Sequence, residues 1–460
     1  MISSVLTIIK DEWRYWYRSK LAISMIVLAL ILTITSVITT GLSLTHAEHE
    51  RSHLQQKSED TFIAQPDRHP HRMVHYGHYV FRAPSPLSTL DPGIDSYTGT
   101  SIFLEGHKQN SDMFAQQQQS SGLTRFSQLT PAFVMQIIAP LLLILIGYSV
   151  VSRERESGTL TYIVVQGTPL NLFMLAKCLA LFSASVMLLV PLLIGVLITL
   201  GAGETWAIVS TFILAHAVYL LIWCILVVLV STLNKNNATS FTILTAIWIL
   251  FCLVIPRISA STASSLIESP SKLEADFEVI ERVRELGDGH NVSNEDFEKI
   301  KSDLLKKYQV TDVEQLPVNI RGIISRNAEA NLTQVLQEFA EKRMNEELAQ
   351  AKIARQFGWL TPVLALKTTS MMLAGTNLET HHRFLREAEN LRFNFVQGLN
   401  SLHAEKLSYV DDINRNKSDA AKKKASVSSD NWQLLKSFSF TPEPAAVRLQ
   451  NGLPPLMQLA

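Results

Sequence analysis

Five stretches of this chain, residues 21–40, 132–151, 169–200, 206–233 and 238–256, hold one charged side chain between them, Lys177. A helix crosses the hydrocarbon core of a bilayer with about 20 mostly apolar residues, and each stretch is near that length or longer. Backbone polar groups in lipid must pair within the segment, which makes helices the natural form for such blocks. The expected fold is an all-α polytopic membrane protein with five visible transmembrane helices. Composition agrees: 47% of residues are hydrophobic and 18% charged, below the roughly 25% charged residues of soluble chains. The 41 basic and 41 acidic residues cancel, which excludes a globally basic nucleic-acid binder and an acidic disordered chain. Cys178, Cys224 and Cys252 all lie in apolar stretches, so a disulfide framework or Cys/His zinc motif is excluded. The first stretch exceeds the apolar core of a cleavable signal peptide and is read as an uncleaved anchor.

Short flanks set the expected orientation. Lys10, Arg14, Arg18 and Lys20 precede the first stretch, Arg153 and Arg155 follow the second, and Lys235 separates the last two. The positive-inside rule places these on the cytoplasmic face of a bacterial inner membrane, with the N-terminus cytoplasmic. Residues 44–131 and 259–448 then fall outside.

Within residues 1–20, Ile2, Val5, Leu6, Ile9, Trp13 and Trp16 recur at helical spacing, with Lys10, Arg14 and Arg18 on another stripe. This predicts a helix in the cytoplasmic headgroup layer. Thr168-Pro169 predicts a capped start for the third span. Lys177, two turns further in, is expected to snorkel toward the headgroups. His216 is expected to be hydrogen-bonded between helices.

The turn at 153–168 is the most informative stretch. It reads Ser152-Arg153-Glu154-Arg155-Glu156-Ser157-Gly158-Thr159-Leu160-Thr161-Tyr162-Ile163, then Gly167-Thr168-Pro169. Ser157-Gly158-Thr159 can end one helix and cap the next. Leu160 to Val165 would then form a short apolar helix whose Leu160 and Ile163 share a face. That face must be covered, either by the protein's own first helix or by a partner.

The run from Glu154 to Leu160, followed by Thr168-Pro169 and Lys177, resembles the E-x-E-x-G-T-L…P…K signature of ABC-2-type permease subunits. The resemblance covers roughly residues 1–260. It implies that Glu154, Glu156, Gly158, Thr159, Leu160 and Ile163 couple to a separate ABC ATPase subunit, which would carry ATP and Mg. A second permease subunit, identical or related, would complete the path. The chain has no G-x-x-x-x-G-K-[ST] phosphate loop and no evident nucleophile, base or carboxylate pair, so it reads as a non-catalytic subunit without cofactor of its own.

Residues 44–131 hold eight of the thirteen histidines, among them His69, His71, His75 and His78. Imidazoles can hold zinc, copper or nickel, but these spacings spell no single site. With Pro66, Pro70, Pro84, Pro86 and Pro92 nearby, the segment reads as a solvated loop. Residues 259–448 read as a helical extracytoplasmic domain. Ser293 and Asp296 resemble a capping box, 319–357 has few helix breakers, and Phe384, Ala388, Leu391, Phe395, Leu399 and Leu402 form a packing stripe. Lys422, Lys423 and Lys424 read as a solvated loop.

Trp359-Leu360-Thr361-Pro362, Ala374-Gly375-Thr376 and His382-Arg383-Phe384-Leu385 with Ala388-Glu389 and Arg392 resemble a subgroup of ABC-2 permeases with a large insertion before the last span. There His381, His382, Arg383 and Glu389 are expected to serve packing. The family's sixth span would begin within 449–460. The leading functional expectation is the permease subunit of an ATP-driven exporter. The alternatives are ATP-powered mechanical work on an extracytoplasmic partner, and a membrane-anchored sensor or scaffold. Lipid is an expected partner and nucleic acid is not.

Overall fold

No proline occurs between Leu21 and Pro66, and nothing in that stretch stops a helix. In the computed structural model, which describes residues 2–109, 129–270, 272–286, 294–434 and 437–459, helix α2 accordingly runs from Leu21 to Ile63. At 1.5 Å per residue its 43 residues reach about 65 Å, roughly twice the bilayer's hydrocarbon thickness. The five apolar stretches all lie in helices long and apolar enough to span: Leu21–Leu42, Pro131–Glu156, Leu170–Gly201, Trp206–Leu233 and Asn237–Leu266. The protein is an all-α polytopic membrane protein, 79% helical.

Helix α1 (Ile2–Ser19) is a separate element, cut from α2 by Lys20 at a φ of 59°. It docks on the third span. Trp16 and Glu12 are fully buried, and Trp13 donates its indole N–H to Ser183 Oγ at 2.9 Å. The third span itself starts at Leu170 with Pro169 in the cap position, one residue later than the sequence suggested. His216 hydrogen-bonds within its own helix to the Phe212 carbonyl.

Two spans contain π-helical turns, at Val134–Ile138 and Leu250–Val254. Each is followed by a proline, Pro140 and Pro256, which removes one ladder hydrogen bond and crowds the carbonyl four residues back. Lipid offers no substitute donor, so neighbouring helices supply them. Tyr219 donates to the Gln136 carbonyl at 2.5 Å and Trp248 to the Ile137 carbonyl at 3.0 Å. Thr361 donates to the Phe251 carbonyl at 3.2 Å.

The solvated-loop reading of 44–131 is overturned for its described part, residues 44–109. Beyond α2 come α3 (Pro70–Tyr76) and two antiparallel strands, β1 (His78–Phe81) and β2 (Ser101–Leu104). Phe62, Met73 and Val74 are fully buried against Phe395, Val396, Leu399 and Trp432. Val80, Ile102 and Leu104 pack against Phe384, Ala388 and Phe440. Apolar residues scattered among prolines and histidines thus gain a core only when the distant helices arrive. The segment between the first two spans and the segment after the fifth form one domain on one side of the spans.

The second span's helix ends in a short helix, α4 (Ser152–Glu156), and a second one, α5 (Thr159–Val165), follows it on the opposite side. The domain's main helices are α6 (Ile320–Gln356), α7 (Pro362–Ala374), α8 (Leu378–Lys406) and α9 (Ala445–Met457). The stripe read at Phe384–Leu402 is the α8 face that packs on α2, α3, β1 and β2. The fifth span's helix continues to Leu266, past the boundary expected at 258. Ser293 lies outside the described residues. Lys422–Lys424 end a short helix, Asp419–Lys424, rather than lying in a loop. Residues 449–457 belong to α9, which packs on α7 and the fourth span.

The domain is anchored to the spans. Val363, Ala365, Leu366, Leu373 and Ala374 of α7 share one apolar cluster with them. Arg448 of α9 donates to Glu204, in the turn between the third and fourth spans, at 2.6 and 2.9 Å. Both side chains are buried.

Candidate functional site

All five residues of helix α4 bond to neighbouring segments. The backbone N–H groups of Val151 and Ser152 both donate to Ser231 Oγ at 3.0 Å, which ties the turn to the end of the fourth span. Ser152 Oγ donates to Asn237 Oδ1 at 2.7 Å, at the start of the fifth. Glu156 accepts the Asn237 backbone N–H at 3.2 Å, and Arg155 donates to the Asn234 carbonyl at 3.3 Å. Arg153 pairs with Glu12 at 3.1 Å and lies 3.5 Å over the Tyr15 ring, which reaches α1. Glu154 pairs with Lys177 at 3.5 Å and with Arg153 at 3.3 Å, and accepts a hydrogen bond from the Thr159 hydroxyl.

Gly158 follows at a φ of 81°, the left-handed region that glycine adopts without penalty. The reversal starts α5 at Thr159. This seven-residue apolar helix has no fully buried residue. Leu160 and Ile163 pack inward with Val150, Val151, Phe173, Val228 and Ile8. Tyr162, Val164 and Val165 point outward, with Tyr162 71% and Val165 78% exposed.

Three points bear on the sequence reading. Glu154 and Glu156 are both engaged within the chain. Leu160 and Ile163 cover the protein's own core, so the outward apolar face belongs to Tyr162, Val164 and Val165. Lys177 does not snorkel: it is 2% exposed and forms an ion pair with fully buried Glu12. A buried ammonium at that depth needs a carboxylate, and one was within reach only because α1 docks. Glu12 and Tyr15 were missed as members of this site. Glu12 carries a readable signal, since it falls with Val5, Ile9 and Trp16 on the apolar stripe of α1, where an acid needs a partner.

The histidines of 44–131 divide by location. His46, His49 and His53 are exposed on the outer half of α2. His69, at the N-cap of α3, lies 3.1 Å from Asp412, which also takes His403 at 2.8 Å, Asn319 at 3.1 Å and a hydrogen bond from Arg415. Burial alone would raise the Asp412 carboxyl, but the hydrogen bonds from His403 and His69 outweigh it and hold it well below the usual range. Burial holds the His69 imidazole below its ordinary value. His78, on β1, is buried between Phe62 and Phe395, and desolvation lowers it to about 4. His71 and His75 meet His107 instead. The four candidate ligands His69, His71, His75 and His78 are therefore not one site.

His382 bonds Glu347 at 2.7 Å, Arg383 lies 4.3 Å over Phe440, and Glu389 pairs with Arg392 at 2.7 Å, all within the helical domain.

Residues 276–441 match a family described as a domain of unknown function (DUF3526). No curated protein and no solved structure matches the chain.

Proposed function

We propose that the chain is the membrane subunit of an ATP-driven ABC-2-type transporter, with α5 as the docking helix for a separate ATPase subunit. The carrying observation is the outward apolar face of Tyr162, Val164 and Val165 on a helix whose base is tied to α1 and to the third, fourth and fifth spans. A push on α5 is thereby delivered to the span ends together. The flanking Arg and Lys residues favour the cytoplasm for this face by the positive-inside rule, and the helical domain then projects outside.

One observation favours mechanical work as well as, or in place of, solute export. Helix α2 passes unbroken from the first span into the helical domain, so a tilt of that span moves the domain.

Copurification with a coexpressed P-loop ATPase tests the docking helix. Val165→Asp and Tyr162→Asp are expected to abolish association while the permease keeps its thermal stability. Association equal to that of the unaltered chain removes the ATPase assignment.

A further inference from the structure

His71 and His75 stand one helical turn apart on α3, so both imidazoles leave the same face. Their Nε2 atoms are 3.2 Å apart. Two nitrogens at about 2.0–2.1 Å from one tetrahedral zinc ion would be separated by about 3.3 Å, so this pair already has the bite of a metal chelate. His107, in the turn after β2, brings a third ring to 5.1 Å from His75 and 5.6 Å from His71, centroid to centroid. One ring nitrogen from each of the three lies within 4.8 Å of the others.

The third ring is held by a carboxylate. His107 Nδ1 is 2.8 Å from Glu329 Oε2, and the same oxygen accepts the His107 backbone N–H at 3.3 Å. Glu329, on α6, is fully buried and its other oxygen takes Arg392 at 2.5 Å. Metal-bound histidines characteristically donate their second N–H to a carboxylate, which fixes ring orientation and leaves the other nitrogen as ligand. Here that assigns Nδ1–H to Glu329 and Nε2 to the ion. His107 also sits at a φ of 62°, a conformation costly for any residue but glycine and maintained only where surroundings enforce it.

The other histidine cluster is a useful contrast. His69, His403 and Asp412 are buried, but Asp412 already accepts hydrogen bonds from Asn319 and Arg415. A divalent ion there would face a guanidinium at the same carboxylate, so that cluster is a closed structural network.

We propose that His71, His75 and His107 form a binding site for a borderline divalent transition-metal ion, zinc or its neighbours copper and nickel, with Glu329 positioning His107. Three imidazoles without thiolate match that class of ion. His75 is exposed, His71 is half-buried and the His107 side chain is buried, so the fourth coordination position opens to solvent on the His75 side, toward water or an incoming ligand. The site joins α3, the turn after β2 and α6, and so links the segment between the first two spans to the domain after the fifth.

The test uses the full chain in detergent, stripped of metal with a chelator and titrated with zinc alone. One zinc ion per chain is expected, together with a rise in melting temperature on binding. Cobalt in its place should give the visible absorption of a low-coordinate site. His75→Ala removes an exposed side chain and leaves the fold intact. It should abolish both stoichiometric binding and the melting shift. Glu329→Gln should weaken binding by about 10–100-fold. His46→Asn/His49→Asn/His53→Asn should bind as the unaltered chain does. The site is overturned if the chain takes up no stoichiometric zinc, if His75→Ala binds undiminished, or if the His46/His49/His53 variant is the one that loses the ion.

Discussion

Glu12, on the helix that precedes the first span, forms a buried ion pair with Lys177, two turns into the third. Their separation of 165 residues hides the relationship in the sequence, yet each is the lone charge of its sign on an apolar face. The pair sets where α1 docks and, through Arg153 and Glu154, where the coupling turn stands.

Removing one partner of a buried pair leaves an uncompensated charge. Lys177→Met is therefore expected to cost about 3–5 kcal/mol, whereas Glu12→Met/Lys177→Met together should recover most of it. Thermal unfolding of the four combinations in one detergent measures the coupling. A loss in the double variant equal to the sum of the two single losses would mean that the two charges act independently.

Leu160 and Val165 lie on the same short helix with opposite roles. Leu160→Asp should lower the stability of the chain alone by about 2–4 kcal/mol, because it forces a carboxylate against Val151 and Phe173. Val165→Asp should leave it within about 0.5 kcal/mol. Gly158→Val has open space around it but a φ of 81°, and should cost about 1–2 kcal/mol from backbone strain. Melting temperatures without any partner present read all three.

The Gln136 carbonyl lost its helical donor to Pro140 and takes Tyr219 instead. Tyr219→Phe should cost about 1 kcal/mol, in line with side-chain hydrogen bonds in membranes. In a Pro140→Ala background residue 140 regains an N–H, and the same change should cost less. A double-mutant cycle that shows strict additivity would disconnect the tyrosine from the proline.

His78 is buried with no hydrogen-bond partner for either ring nitrogen among the described residues, and burial lowers it from 6.5 to about 4. In the unfolded chain it takes a proton near pH 6.5, while in the folded chain it resists until about pH 4. The unfolded state thus binds more protons between those values, and stability falls as pH drops from 6.5 toward 4. A shift of this size corresponds to about 3 kcal/mol. His78→Phe should remove that part of the slope, visible as a smaller loss of melting temperature between pH 7 and pH 4.5.

The membrane class, the five spans and the break at Gly158 were legible in the sequence alone. Each rests on a local property: the length of an uncharged run, a proline or glycine at a helix end, an apolar period. Local chemistry also separated α4 from α5. It left open what covers Leu160 and Ile163, because that depends on Ile8 and Phe173, supplied by other helices. Residues 44–131 read as loop for the same reason. Met73, Val74 and Val80 form no long pattern of their own and become a core only against Phe395, Phe384 and Trp432, some 300 residues later. Charge pairing was the least visible property. Glu12 with Lys177, Glu204 with Arg448, and Glu329 with both His107 and Arg392 are partnerships across long separations, and only the packing of helices brings such groups within a few ångströms. The three histidines beside Glu329 follow the same rule: two are adjacent by helical period, and the third arrives with the fold.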